Sequence, residues 1–278
     1  MKSAIGFTKM KEASLPIVML TAYDCPFARI LDECGVDIVL VGDTVGTTVL
    51  GYDDITRVTM DDMIHHTSAV ARGVSRAFVV GDMPYKSYAT RAAAIKNAKR
   101  FLACGADAVK MEGGAEITDR VKAMRRCGIE VCGHIGYLPQ SRIRPGVVGK
   151  TLDEAKGLVA DALALQEAGV FMIVLELVPQ ELAGAVTRLL RIPTIGIGAG
   201  PRCDGQVQVF HDMAGLSPRV FRHVKTFANG KDVLSAAVAG YVREVREHSF
   251  PTADHAAALD RWTQEELLSW IGADRGNR

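Results

Sequence analysis

The sequence carries no surplus of charge, no long apolar run and no paired cysteines, and each absence removes a class of protein. Thirty-three Lys and Arg against thirty-two Asp and Glu leave a formal charge of +1. That balance gives no electrostatic footprint for nucleic acid or an anionic membrane. No stretch approaches the ~18 consecutive apolar residues of a membrane span. Residues 1–14 contain lysines but no apolar core of a secretory signal. The expectation is a soluble, cytoplasmic protein whose partners are small molecules, not nucleic acid or membrane. Cys25, Cys34, Cys104, Cys127, Cys132 and Cys203 are scattered without a CxxC spacing, which fits neither a zinc site nor a disulfide framework. Buried free thiols are expected instead. The run Gly196-Ile197-Gly198-Ala199-Gly200 lacks the six-residue spacing of a dinucleotide fingerprint. Its glycines are expected to let the backbone approach a ligand.

What is present is a repeated pattern. Ile38-Val39-Leu40-Val41-Gly42-Asp43 and Ala77-Phe78-Val79-Val80-Gly81-Asp82 each run from apolar residues through glycine to aspartate. Ala108-Val109-Lys110-Met111-Glu112 and Met172-Ile173-Val174-Leu175-Glu176 end on glutamate. Continuous β-branched runs bounded by turn residues read as strands buried on both faces, as in parallel sheets. Further strands are expected over residues 17–24, 129–136, 193–200 and 206–212, with helices over about 26–34, 59–72, 90–104, 115–127, 152–168 and 179–190 between them. Eight strands alternating evenly with helices outline a single (β/α)8 barrel over about residues 15–220. An open doubly wound sheet is the alternative, because periodicity does not show closure. The chain from 221 to 278 reads as a helical extension. There Thr263 and Glu266 form a capping box, and Trp262, Leu267, Trp270 and Ile271 form an apolar stripe.

In such a barrel the chemistry lies at the C-terminal ends of the strands. Asp43, Asp82, Glu112 and Glu176 would converge there with Lys110, His134, Asp24, His211 and Asp212. An all-oxygen set suits Mg2+ better than zinc, and Mg2+ takes few protein carboxylates directly. Asp43 and Asp82 are therefore expected as direct ligands, with Glu112 direct or through water. Lys110 offers a point charge for a substrate carboxylate. Structural readings compete: the aspartates as helix caps, Lys110 paired with Glu112, His134 as a satisfied core residue. Glu176 between two leucines is the hardest to explain structurally, because an unpaired buried carboxylate is costly.

Several motifs occur in a fixed order: Val41-Gly42-Asp43-Thr44-Val45-Gly46, Lys110-Met111-Glu112-Gly113-Gly114, Gly133-His134-Ile135-Gly136 and Val174-Leu175-Glu176-Leu177-Val178-Pro179. Residues 192–200, then Cys203-Asp204-Gly205-Gln206-Val207 and His211-Asp212, complete the set. Together, over about residues 21–250, they closely resemble the ketopantoate hydroxymethyltransferase family. The resemblance implies a barrel of the phosphoenolpyruvate-mutase and isocitrate-lyase type, in a large homo-oligomer, a decamer in the family. It implies hydroxymethyl transfer from 5,10-methylenetetrahydrofolate to 3-methyl-2-oxobutanoate, with Mg2+ as cofactor, on the route to pantothenate and coenzyme A. Residue by residue it implies Asp43, Asp82 and Glu112 as metal ligands and Glu176 as the proton acceptor. Asp43, Thr44, Asp82, Lys110 and His134 would contact substrate, Thr44 standing where the family has serine.

The sequence departs from the family pattern at Tyr137-Leu138-Pro139-Gln140, in the compressed segment Arg144-Pro145-Gly146-Val147-Val148-Gly149-Lys150, and at Asp82-Met83-Pro84-Tyr85. Loops at this rim shape the pocket, so a paralogue acting on another 2-oxo acid stays open. So does a Mg2+-dependent carbon–carbon lyase of the same fold, although the Lys-Lys-Cys-Gly-His loop of those enzymes is absent. A non-catalytic barrel is the third reading, and the intact set of acids argues against it.

Overall fold

A computed structural model of the chain describes residues 3–141, 146–218 and 221–275. Eight parallel strands close in chain order into a barrel: β1 (Ile17–Thr21), β2 (Ile38–Val41), β3 (Phe78–Asp82), β4 (Ala108–Glu112), β5 (Val131–Gly136), β6 (Met172–Glu176), β7 (Thr194–Ile197) and β8 (Gly205–Gln208). Closure through the β1–β8 pairing excludes the open sheet. The outer layer contains α2 (Cys25–Glu33), α4 (Met60–Gly73), α5 (Arg91–Ala103), α6 (Thr118–Arg126), α7 (Leu152–Ala168) and α8 (Gln180–Leu189). Short helices α3 (Val45–Thr48) and α9 (Phe210–Met213) follow β2 and β8.

Side chains alternate along each strand, which divides the apolar runs into two cores. Ile38, Leu40, Phe78, Val80, Ala108 and Val174 fill the barrel. Val39, Val79, Val109, Val131, Ile173 and Leu175 pack outward against helices. Capping boxes start α4 at Thr59 and Asp62 and α7 at Thr151 and Glu154. An N-terminal helix that sequence reading did not anticipate, α1 (Ala4–Glu12), starts where Ser3 accepts a hydrogen bond from the Gly6 amide at 3.2 Å. Its one buried residue, Phe7, meets Phe78 and Phe171 at ring distances of 5.4 and 6.2 Å. Both partners lie at strand beginnings, so Phe7 plugs the end of the barrel opposite the acids.

Three residues expected at the acid-bearing rim have other work. Asp24 caps α2, accepting the Phe27 amide at 2.9 Å. His211 and Asp212 lie in α9, because β8 ends at Gln208 and the Phe210 amide turns onto Thr21 Oγ1 at 3.0 Å. The His211 ring rests against Tyr23 and Phe27. The cysteines are free, but only Cys132 is buried. Cys34 and Cys127 are exposed at the C-caps of α2 and α6, where the chain reaches the surface.

The chain divides into two compact units, Met1–Ala228 and Asn229–Arg278. The second contains α10 (Gly230–Arg246), none of whose residues is buried, and α11 (Arg261–Arg275). The expected Thr263–Glu266 box does not form, because α11 starts two residues before Thr263. Asp260 caps it instead, accepting from the Thr263 amide at 2.9 Å and its hydroxyl at 2.8 Å. Trp262, Leu267, Trp270 and Ile271 are all exposed. Among the described residues no helix is long and apolar enough to cross a membrane.

Asp32 on α2 is buried against the turn before β3. It accepts the amides of Ala77, Arg76 and Ser75 at 2.6, 2.8 and 3.1 Å and the Ser75 hydroxyl at 2.7 Å. Burial raises its pKa, but these donors outweigh burial and bring it down from 3.8 to about 2. A carboxylate lowered on folding stabilises above its unfolded-state pKa, and that contribution is lost as pH falls through the folded value. The shift corresponds to about 2 kcal/mol at neutral pH. Asp32→Ala is expected to lose at least that much in urea unfolding at pH 7, with the gap to wild type narrowing between pH 4 and pH 2 as wild type takes up its proton.

Candidate active site

Strand register explains how the acids meet. Parallel pairing sets Asp82 beside Lys110 and Glu112 beside His134. Lys110 and Glu112 are two residues apart on β4, so both point into the barrel. Gly136 pairs with Glu176, and a Cβ there would lie 2.3 Å from the Glu176 carbonyl oxygen, so the glycine lets the two strand ends approach. Asp43 arrives from the turn between β2 and α3, and its amide lies 3.4 Å from Asp82 Oδ2. Asp43, Asp82, Lys110, Glu112 and His134 are each no more than 5% exposed. They line a cavity of about 50 Å3 with Thr44, Pro139, Val174 and Glu176.

The closest ion pair among these residues is Lys110 Nζ to Asp82 Oδ2, 2.6 Å. The structural alternative had paired Lys110 with Glu112, but the lateral neighbour across the register is Asp82. Glu112 instead faces His134, with Oε1 3.4 Å from Nδ1, while Glu176 Oε2 lies 3.2 Å from His134 Nε2. Both contacts are at ion-pair distance without hydrogen-bond geometry. The histidine thus lies between Glu112 and Glu176. Glu176 itself sits at the rim, with 17% of its side chain exposed, where burial had been expected. Thr44 is present in the cavity, but its hydroxyl is taken by Tyr23 Oη at 2.7 Å.

Four carboxylates thus face two cationic side chains in a largely buried space. Burial, then the neighbouring Asp82, pushes the Asp43 carboxyl well above the ordinary range. Asp82 also rises, because burial exceeds the opposing pull of Lys110. Burial lowers Lys110, yet Asp82, Glu112 and Asp43 outweigh it and raise its pKa. Burial and Lys110 lower His134, while Glu112 and Glu176 carry it up to about 9. Burial raises Glu112, but His134, Lys110 and the Gln140 amide bring it below its usual value.

The donor set fits Mg2+. The oxygens are hard, negative charge is in excess, and the buried Asp82 Oδ1 has no hydrogen-bond partner among the described residues. Among those residues no three His, Cys, Asp or Glu side chains already gather at metal-ligand spacing. An Mg2+ ion held here by Asp43 and Asp82 would keep several waters.

Sequence reasoning passed over Gln140 and Tyr88. Gln140 is buried, donating to Asp43 Oδ2 at 2.8 Å, and its Oε1 accepts from Tyr88 Oη at 2.7 Å. Both come from loops, where no periodicity marks an inward residue. Arg144 and Pro145 of the compressed segment lie outside the described residues. Gly198 and Gly200 of the run after β7 line a groove and are also closely packed from behind. A Cβ on Gly198 would lie 2.7 Å from Leu177, and one on Gly200 2.4 Å from Gln180, so close packing requires both. A groove of about 1120 Å3 nearby, lined by Leu15, Val18, Gln180, Gln206, Arg222 and His223, contains none of the strand-end acids.

A closed parallel barrel with charged residues gathered at its strand ends defines a (β/α)8 barrel of enzymatic type. In fold it is similar to a phosphonopyruvate hydrolase solved with oxalate and Mg2+ (TM-score 0.63, 13% identity, 100% of this chain and 97% of that one). It is also similar to 2,3-dimethylmalate lyase, a member of the PEP mutase/isocitrate lyase superfamily (TM-score 0.61, 16% identity, 99% and 96%). Sequence narrows the class. Residues 2–253 match the ketopantoate hydroxymethyltransferase family model. The 3-methyl-2-oxobutanoate hydroxymethyltransferase of Acetivibrio thermocellus is 51% identical over 94% of this chain and 95% of its own length. That of Roseiflexus sp. is 47% identical over 97% and 99%. The chain belongs to the ketopantoate hydroxymethyltransferase family.

The crowding of Asp43 and Asp82 has a measurable consequence. In chelator-treated protein Asp43→Asn keeps an acceptor for Gln140 but removes a charge facing Asp82. Its melting temperature is expected to equal or exceed wild type, by about 2–4 °C for each kcal/mol of relieved repulsion. Scanning calorimetry checks this. A fall of several degrees would mean that the paired acids are stabilising by themselves.

Proposed function

We propose that this chain transfers a hydroxymethyl group from 5,10-methylenetetrahydrofolate to 3-methyl-2-oxobutanoate, using Mg2+. The observation that carries the reading is the placement of one rim carboxylate, Glu176, against a histidine that joins it to a buried excess of acid. Mg2+ held by Asp43 and Asp82, with Glu112 nearby, would supply positive charge to the substrate's keto and carboxylate oxygens as negative charge develops there. Lys110 gives one of its three donors to Asp82 and keeps its charge available for a substrate oxygen.

Glu176 takes the proton from C3 as general base. Its partly exposed position lets substrate reach it, which a fully buried carboxylate would not allow. His134, raised toward its charged form by Glu112 and Glu176, holds a positive charge beside the glutamate. Carbon 3 then bonds to the folate's one-carbon unit, the carbon–nitrogen bonds to the folate break, and water supplies the hydroxyl oxygen. The products are ketopantoate and tetrahydrofolate. Preorganised charge at the keto oxygen is the largest contribution of such a site.

Product formation from the two substrates, followed by chromatography, tests the proposal. Activity should require Mg2+, vanish with chelator and return on adding Mg2+. Glu176→Gln is expected to reduce turnover about 10²–10⁴-fold, the usual range for loss of a general base. Wild-type turnover in that variant would remove Glu176 from the role. Turnover only with a different 2-oxo acid would assign the altered loop a change of substrate.

A further inference from the structure

We infer that Gln140 is a positioning residue that leaves Asp43 a single metal-facing oxygen and so sets the choice of cation at the site. The inference rests on the Mg2+ reading given above and extends it to a residue outside the ligand set.

Gln140 follows Pro139 in the loop after β5 and is only 4% exposed. Every hydrogen-bonding capacity that can be read from its surroundings is directed. Its Nε2 donates to Asp43 Oδ2 at 2.8 Å and to the Met83 carbonyl at 3.0 Å. Its Oε1 accepts from Tyr88 Oη at 2.7 Å. Its backbone amide donates to Glu112 Oε2 at 3.1 Å. The Tyr88 hydroxyl also reaches the Glu112 carbonyl, at 3.3 Å. Two acceptors at the nitrogen and a hydroxyl donor at the oxygen fix which way round the amide lies.

One loop residue therefore joins the acid after β2 to the acid of β4, and Tyr88 from the loop after β3 locks it. The consequence for Asp43 is geometric. Oδ2 accepts an amide hydrogen, which restrains the carboxylate and favours contact with a cation through Oδ1. Mg2+ demands near-octahedral coordination at short distance and retains water. Ca2+ accepts six to eight oxygens and readily takes a carboxylate through both. A one-oxygen Asp43 favours Mg2+ and disfavours Ca2+. The amide also withholds from Asp43 the freedom to swing toward Lys110.

The test is calorimetric titration of substrate-free protein with Mg2+ and, separately, Ca2+, comparing wild type with Gln140→Met and Tyr88→Phe. Methionine keeps the length of the side chain and the backbone amide to Glu112 while removing both side-chain polar atoms. Outer-shell partners of metal ligands are typically worth about 10–100-fold in affinity. Gln140→Met is expected to weaken Mg2+ by that factor and Ca2+ much less, so that the preference narrows. Tyr88→Phe should move Mg2+ affinity in the same direction by a smaller factor. A general loosening of the fold would weaken both ions together, and that pattern overturns the inference. So does Mg2+ affinity within about twofold of wild type in folded Gln140→Met. If that variant does not fold, unchanged affinity in Tyr88→Phe overturns it. Wild type that takes up no Mg2+ removes the metal reading itself, a result distinguishable from failure of Gln140's role alone.

Discussion

The Lys110–Asp82 pair, 2.6 Å apart in the closed barrel, is the constraint to which the rest of the site answers. A buried ammonium and carboxylate hold each other charged only where the attraction outweighs lost hydration. Here one lysine is surrounded by more acid than it can neutralise. Asp43 and Asp82 are raised, Glu112 needs His134, and His134 needs both glutamates to remain protonated. Such an arrangement makes poor use of charge for stability and good use of it for binding a cation. Strained electrostatics of this kind persist where function requires them and the surrounding structure fixes them.

The surrounding structure does fix them. Phe7, Phe78 and Phe171 close the far end of the barrel, while the aliphatic layers between keep water from entering below the acids. Gly81 shows how tightly the acid-bearing strand is held from outside. A Cβ there would lie 2.3 Å from the Phe101 ring of α5, so the glycine of Val-Gly-Asp serves helix packing on one face while the aspartate serves the site on the other. Gly42 has a different reason, since its Cβ would meet Thr44 Oγ1 at 3.0 Å. The two motifs look alike in sequence and are constrained by different neighbours.

Strand identity and the acids were legible because a buried parallel strand leaves a continuous apolar run, and a charge at its end stands out. Lys110 and Glu112, two residues apart, could be placed on the same face from the period of two alone. What lay outside that signal was whatever depends on contacts between distant segments. Asp24 follows a strand as Asp43 does, but Pro26 in the first turn of α2 makes it a cap. His211 looked like a strand end because its apolar run continued past the point where Thr21 turns the chain. Gln140 sits in a loop with no periodicity, and its importance comes entirely from Asp43, Glu112 and Tyr88, which lie far from it in sequence. Helix α1, with one buried residue in nine, has too little apolar patterning to be seen before its barrel is present.

The central claim is that Glu176 removes the C3 proton of a 2-oxo acid whose negative charge is received by the cation that Asp43 and Asp82 hold. Proton NMR of 3-methyl-2-oxobutanoate in D2O isolates that step without folate. The account requires loss of the C3 proton signal with wild type and Mg2+, suppressed by chelator and by Glu176→Gln, with substrate still bound by the variant. Exchange that continues undiminished in Glu176→Gln, or that proceeds at the wild-type rate without a divalent cation, would contradict it.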